Sequence, residues 1–331
     1  MLNKNRLEIH FALHAVRQAA LLVRQVQAEL VSAALTKDDR SPVTVADFAS
    51  QALIASLLMR AFPSDPLVAE EDSASLRQPE NRATLENVIR FVSHFSSPAS
   101  ARDICSWIDR GAGEPSGRFW TLDPIDGTKG FLRGDQYAIA LALIVEGQIE
   151  IGVLGCPNLR EGRFFEVGGE GTLAVAAKGE GAWIAPLAGN PVHLKRVGVS
   201  RVADVTQARV LSSFESAHTN VSQIDQFAQI LGTAVEPIRL DSQAKYVMLA
   251  AGAGELYLRL LSREKPDYKE KIWDQAAGSL LVVEAGGQIT DLDNAPLDFS
   301  AGRRLARNRG ILASNGYLHE PAARALRKIN A

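Results

Sequence analysis

Sulfur is scarce in this chain of 331 residues: Cys105 and Cys156 are its only cysteines, and neither sits in a CxxC or Cys/His spacing. That argues against both a disulfide framework and a thiolate zinc centre, and a reducing cytoplasmic setting is expected. An excess of one charge is also missing. Lys and Arg number 36 against 38 Asp and Glu, for a formal net charge of -2, so no molecule-wide field draws the protein to nucleic acid or an anionic membrane. Neither is expected as a partner. Residues 1–27 scatter charges among their apolar positions, unlike a signal peptide, and no uninterrupted apolar run of bilayer-spanning length is evident. A charged ligand would have to be handled by local groups.

Apolar residues make up 46% of the chain, enough to bury the core of one two-lobed domain or of two smaller ones. Ile9, Leu13, Val16, Ala20, Val23 and Leu30 recur at helical spacing and predict a long amphipathic opening helix. A second helix is expected over 46–62, stopped by Pro63, with Asp47 in its first turn. Short apolar runs at 67–69 and 119–122 read as buried strands that end in acids, and runs at 137–145, 149–154, 163–167 and 173–177 as a meandering sheet. A link near 186–191 opens a second half of alternating elements, an α/β lobe, giving an expected division into 1–188 and 189–331. There, 208–211 and 255–260 read as strands and 221–231 as a helix. Another helix is expected over 273–285, closed by Gly286 and Gly287, with Asp274 in its first turn. The polar stretch 77–110 reads as helical, and Arg303, Arg304, Arg307 and Arg309 as a solvated basic loop.

Acids delivered to the ends of buried strands are costly unless a cation compensates them. Asp47, Glu70, Asp123, Asp126 and Asp274 qualify. An all-oxygen donor set favours a hard ion such as Mg²⁺, and carboxylates from separate segments suit more than one ion. Two ions about 3.5–4 Å apart can clamp both oxygens of an in-line phosphoryl displacement. After Asp123, Pro124 fixes the chain, Gly127 permits close backbone approach, and Thr128 offers a hydroxyl and an amide to an anion. Each piece has a plainer reading: DPxDG is a common turn, Asp47 and Asp274 suit helix N-termini, and Glu70-Glu71-Asp72 suits a solvated turn.

Taken together, the pieces resemble a known family. DPIDGT at 123–128 and WDQAA at 273–277, with SPVTVAD at 41–47 and VAEED at 68–72, stand in the order of the lithium-sensitive inositol monophosphatase superfamily. Within it, DPIDGTKGFLRGDQYAIALALI, SFESAH at 213–218, LDSQAKY at 240–246 and ELYLRL at 255–260 resemble the 3′(2′),5′-bisphosphate nucleotidase branch. The resemblance implies a layered α-β-α-β-α sandwich of the inositol monophosphatase and fructose-bisphosphatase type. It also implies removal of the 3′-phosphate from 3′-phosphoadenosine 5′-phosphate, possible action on its sulfated relative, and inhibition by lithium. An inositol phosphate or sugar phosphatase of the same superfamily is the alternative.

Residue by residue, the resemblance implies a first Mg²⁺ site at Glu70, Asp123 and the Ile125 carbonyl, and a second at Asp123, Asp126 and Asp274. A third ion would lean on Glu70. Asp47 and Thr128 are the implied catalytic pair that activates water. Asp126, Gly127, Thr128, His218, Ser242, Lys245, Arg259 and Asp274 are the implied substrate contacts, and a nucleotide bisphosphate the implied small-molecule partner. A binding-only sensor would be expected to have lost one of the metal or activating residues; none is missing.

Overall fold

The computed structural model describes residues 2–3, 5–31, 41–188, 193–213, 221–261 and 266–329. Helix α1, Leu7–Val26, continues into a π-helical turn at Gln27–Val31, and α2 spans Ser41–Ala61. β1, Leu67–Ala69, is followed by helices α3, Arg82–Phe95, and α4, Ala101–Asp109, which account for the polar stretch expected to be helical. Next come β2, Arg118–Asp126; the short helix α5, Thr128–Arg133; β3, Ala138–Val145; and β4, Gln148–Cys156. A small hairpin of β5, Leu159–Arg160, and β6, Phe164–Phe165, precedes β7, Thr172–Ala177, β8, Gly181–Pro186, and β9, Lys195–Val197.

The second half comprises β10, Val210–Ser212; α6, Val221–Leu231; β11, Ile238–Arg239; α7, Ala244–Ala250; and β12, Leu256–Arg259. It ends with α8, Ala276–Glu284; β13, Gln288–Thr290; β14, Ile311–Ser314; and α9, His319–Lys328. Strands form a seven-stranded sheet in the order β1-β2-β3-β4-β7-β8-β9 and a five-stranded sheet in the order β11-β10-β12-β14-β13.

Alternation along the strands builds the layers. In β3, Ile139, Leu141 and Leu143 join α1 and α2 in one core, while Ala138, Ala140, Ala142 and Ile144 face α7 and α8 in another. Small residues on the second face let the middle helices approach closely. A Cβ at Gly152 on β4 would stand 2.7 Å from the Ala277 carbonyl oxygen, so that contact tolerates only glycine. The middle helices also cover the inner face of the small sheet through Tyr257 and Ala313, and a third core, with Phe227 of α6 and Leu326 of α9, covers its outer face. The result is the expected helix, sheet, helix, sheet, helix stack.

Several local expectations change. The run 163–167 contributes only a two-residue strand of a separate hairpin, and Phe164 and Phe165 are exposed rather than in the meander. Helix α2 begins at Ser41, six residues before Asp47, which therefore lies beyond the first turn. Asp274 lies in a turn just before α8 instead of inside it. The segment Pro42–Ala61 is in fact long and apolar enough to cross a membrane by length and composition, but 78% of that apolar window is buried inside the protein, so its hydropathy is that of a core helix.

Candidate active site

Helix α2 organises one wall of the site. Asp47, Ser50 and Gln51 share a face at i, i+3 and i+4, and all three are buried. Ser50 Oγ donates to the Pro124 carbonyl at 2.9 Å, while Gln51 Nε2 donates to the Glu71 carbonyl at 2.7 Å and Gln51 Oε1 accepts from the Glu71 amide at 3.0 Å. One helix face thus holds both acidic segments in place beside Asp47. The parallel pairing of β1 with β2, with Ala69 opposite Leu122, brings Glu70 alongside Asp123.

The run at 123–126 is the end of strand β2 rather than a free turn. Its register against β3 shifts between Asp123 and Asp126, a bulge that accommodates Pro124, which has no amide to give to a ladder. Gly127 follows at φ 87° and caps α5; a Cβ there would lie 2.9 Å from Ser242 Cβ. Both the left-handed backbone and the close approach require glycine. Asp126 Oδ2 accepts the Gln243 amide at 2.6 Å, which ties the run to the start of α7.

Asp47, Glu70, Asp123, Ile125, Asp126, Gly127, Thr128, Ser242, Lys245, Arg259 and Asp274 all line one cavity of about 250 Å³. His218 lies outside the described residues. Sequence reasoning assigned no role to other residues of the same wall: Glu71, Tyr257, Tyr268 and Lys271. Lys271 stands two positions before the WDQAA motif, the only sequence cue to it.

The cavity is lined by both acids and cations. Among the acids, burial first and neighbouring carboxylates second push the pKa of Asp47 and Asp123 well above the usual carboxylate range. Burial also raises Glu70, and Glu71 to about 7, although the Glu70 side chain opens onto the cavity. Asp274 is raised as well, burial outweighing the pull of Arg259. Asp123 Oδ1 is buried without a hydrogen-bond partner. Among the described residues no three acidic, histidine or cysteine side chains form a ready-made ion cage. The orphaned oxygen and the mutually repelling carboxylates nonetheless fit a hard cation, since positive charge relieves both penalties at once.

Among the cations, Lys245 is not solvated. It is 2% exposed, its Nζ donates to the Leu240 carbonyl at 3.0 Å, and burial lowers its pKa to about 8. Arg259 contacts Glu270 and approaches Asp274. Arg303 also departs from the solvated loop expected of it. It reaches back to the carbonyls of Ala69, Gly111 and Gly113 at 2.5–3.3 Å, with its guanidinium over the Trp273 ring at 5.1 Å.

Residues 5–331 match the model of the inositol monophosphatase family. The chain belongs to that family. Among curated relatives of this inositol monophosphatase family member, a 3′(2′),5′-bisphosphate nucleotidase of Emericella nidulans is 40% identical over 97% of this chain and 98% of its own. Proteins of the same name from Oryza sativa and Schizosaccharomyces pombe are 43% and 42% identical, covering 94% and 93% of this chain and 91% of their own. The fold is shared with the extragenic suppressor protein suhB of Bartonella henselae, at TM-score 0.64 and 20% identity over 96% of this chain and 98% of that one. It is also shared with an inositol monophosphatase of Anabaena, at TM-score 0.61 and 20% identity over 97% of both chains.

Proposed function

We propose that the protein is a Mg²⁺-dependent phosphomonoesterase that hydrolyses the 3′-phosphate of 3′-phosphoadenosine 5′-phosphate to give AMP and phosphate, and that it also accepts the sulfated relative. The observation that carries the reading is one cavity lined both by a set of carboxylates and by the cations Lys245, buried, and Arg259, half-buried. A simple phosphomonoester needs only the first; a substrate with a second anionic group uses both. The nucleotidases named above, at 40–43% identity over 93–97% of this chain, support the same substrate class.

In this reading Glu70, Asp123 and the Ile125 carbonyl would hold one ion, and Asp123, Asp126 and Asp274 would hold a second, with Glu70 also available to a third. When bound, Mg²⁺ supplies Lewis-acid stabilisation of the charge that builds on the phosphoryl oxygens. Asp47 accepts the proton of the attacking water through the Thr128 hydroxyl. Its buried carboxylate titrates high in isolation, and positive charge in the cavity brings it back into the ionised form that a proton acceptor requires. The Gly127 and Thr128 amides face the transferred phosphate, and Ser242, Lys245 and Arg259, with His218, hold the nucleotide. Two buried, unpaired thiols at Cys105 and Cys156 suit a cytoplasmic setting.

Phosphate release from 3′-phosphoadenosine 5′-phosphate and from inositol 1-phosphate, measured side by side with Mg²⁺, tests the proposal. The nucleotide is expected to have the higher kcat/KM. Preference for the inositol ester would assign the protein to the other branch of its family.

A further inference from the structure

Glu270 is 3% exposed and stands directly behind Arg259 without lining the cavity itself. Its Oε2 is 2.7 Å from Arg259 Nε, while on the other side Arg259 Nη2 is 3.7 Å from Asp274 Oδ2. The guanidinium therefore lies between two acids. Its contact with Glu270 is close but poorly aligned, and Arg259 Nε is buried without a directed hydrogen bond, so the attraction is one of charge and the side chain could turn toward a better partner. Glu270 cannot follow it. Glu270 Oε2 also accepts from Gln275 Nε2 at 3.0 Å, Gln275 Oε1 accepts from the Tyr246 hydroxyl, and the Glu270 carbonyl accepts the Leu305 amide at 2.9 Å.

We propose that Glu270 is a positioning residue that holds the Arg259 guanidinium off Asp274, leaving the Asp274 carboxylate available to a divalent cation and the outer edge of the guanidinium to a substrate anion. The inference rests on the proposed roles of Asp274 as an ion ligand and Arg259 as a substrate contact. Coulomb attraction falls with distance, so the nearer, immobile acid wins the arginine. With Glu270 neutralised, Asp274 becomes the nearest anion to Arg259, and an internal ion pair then competes with the metal for that carboxylate.

The test reads binding without turnover: the thermal shift produced by Mg²⁺ alone, titrated into substrate-free protein. In Glu270→Gln the half-saturating Mg²⁺ concentration is expected to rise by about 10–100-fold, the range for losing a partner that orients a metal ligand. In the double variant Glu270→Gln with Arg259→Gln the competing cation is gone. Its Mg²⁺ midpoint should return toward wild type while KM for the nucleotide stays high, a recovery that a merely structural role for Glu270 would not produce. An unchanged midpoint in Glu270→Gln, or a double variant as weak as the single, overturns the proposal. Glu270→Asp, which keeps the charge, should stay near the wild-type midpoint, and a loss of about tenfold there overturns it too. No Mg²⁺ shift in the wild type would instead remove the ion reading on which the proposal stands.

Discussion

The Asp47 carboxyl is buried on α2, and the nearby charges of Glu71 and Glu70 add to the cost of ionising it. Replacing it with Asn removes the proton acceptor proposed above but keeps the shape and removes an unfavourable buried charge. Asp47→Asn is therefore expected to lower kcat by about 10²–10⁴-fold, the usual span of general-base help, while its Tm matches or exceeds that of the wild type. Phosphate-release kinetics together with a thermal melt check both halves, and wild-type turnover in the variant would remove Asp47 from the water-activating pair. The acids were legible in the sequence because each sits in a short motif at the end of an apolar run. Glu270, Tyr268 and Lys271 were not. Tyr268 and Lys271 line the cavity and Glu270 stands behind Arg259, long-range placements that no local period encodes.

Helix α2 and Arg303, in the connection between β13 and β14, do the positioning at the scale of elements. Through Ser50 and Gln51, α2 fixes the two acidic strand ends. Arg303 fixes the other junction: its guanidinium links the carbonyl before Glu70 to the Trp273 ring before Asp274. Three carbonyl contacts and a ring face explain why an arginine is half-buried there despite the depression of its pKa by desolvation. Arg303→Gln is expected to lower Tm by several degrees and to raise the Mg²⁺ concentration needed for half-maximal activity, because Glu70 and Asp274 lose their common support. A Tm loss with an unchanged Mg²⁺ requirement would reduce Arg303 to a purely structural tie. In sequence Arg303 was indistinguishable from Arg304, Arg307 and Arg309, since a run of cations reads the same whether one is a strut or all are solvated. The strand at 123–126 was hidden for a related reason: DPxDG has the composition of a turn, and only pairing with β3 turns it into a bulged strand end.

At the scale of the whole molecule, the stack of layers buries a set of like charges at the mouth of the β1–β2 pair, and this links folding to pH and to metal. Glu71 titrates near 7 in the folded protein, and Asp47, Glu70, Asp123 and Asp274 are also raised. A raised acid binds more protons folded than unfolded between its two pKa values, so its stabilising proton is in place below about 4.5 and is lost as pH rises through the folded value. Metal-free protein is therefore expected to lose stability as pH rises from about 4.5 to 7. His319 works against this trend. It is packed between Thr290 and Ser314 with its pKa lowered to about 4, so protonation of the unfolded chain destabilises the fold as pH falls from about 6.5 to 4. His14 is shifted the same way by burial, but two histidines stand against five raised carboxylates, so the acids set the net slope. Saturating Mg²⁺ supplies the missing positive charge and favours the ionised carboxylates, so Tm should rise with Mg²⁺ by an increment that grows between pH 5.5 and 7.5. Melting curves with chelator and with Mg²⁺ across that range check the argument. A Mg²⁺ increment that is flat or shrinks with rising pH would mean that the ion does not bind the buried acids of this cavity.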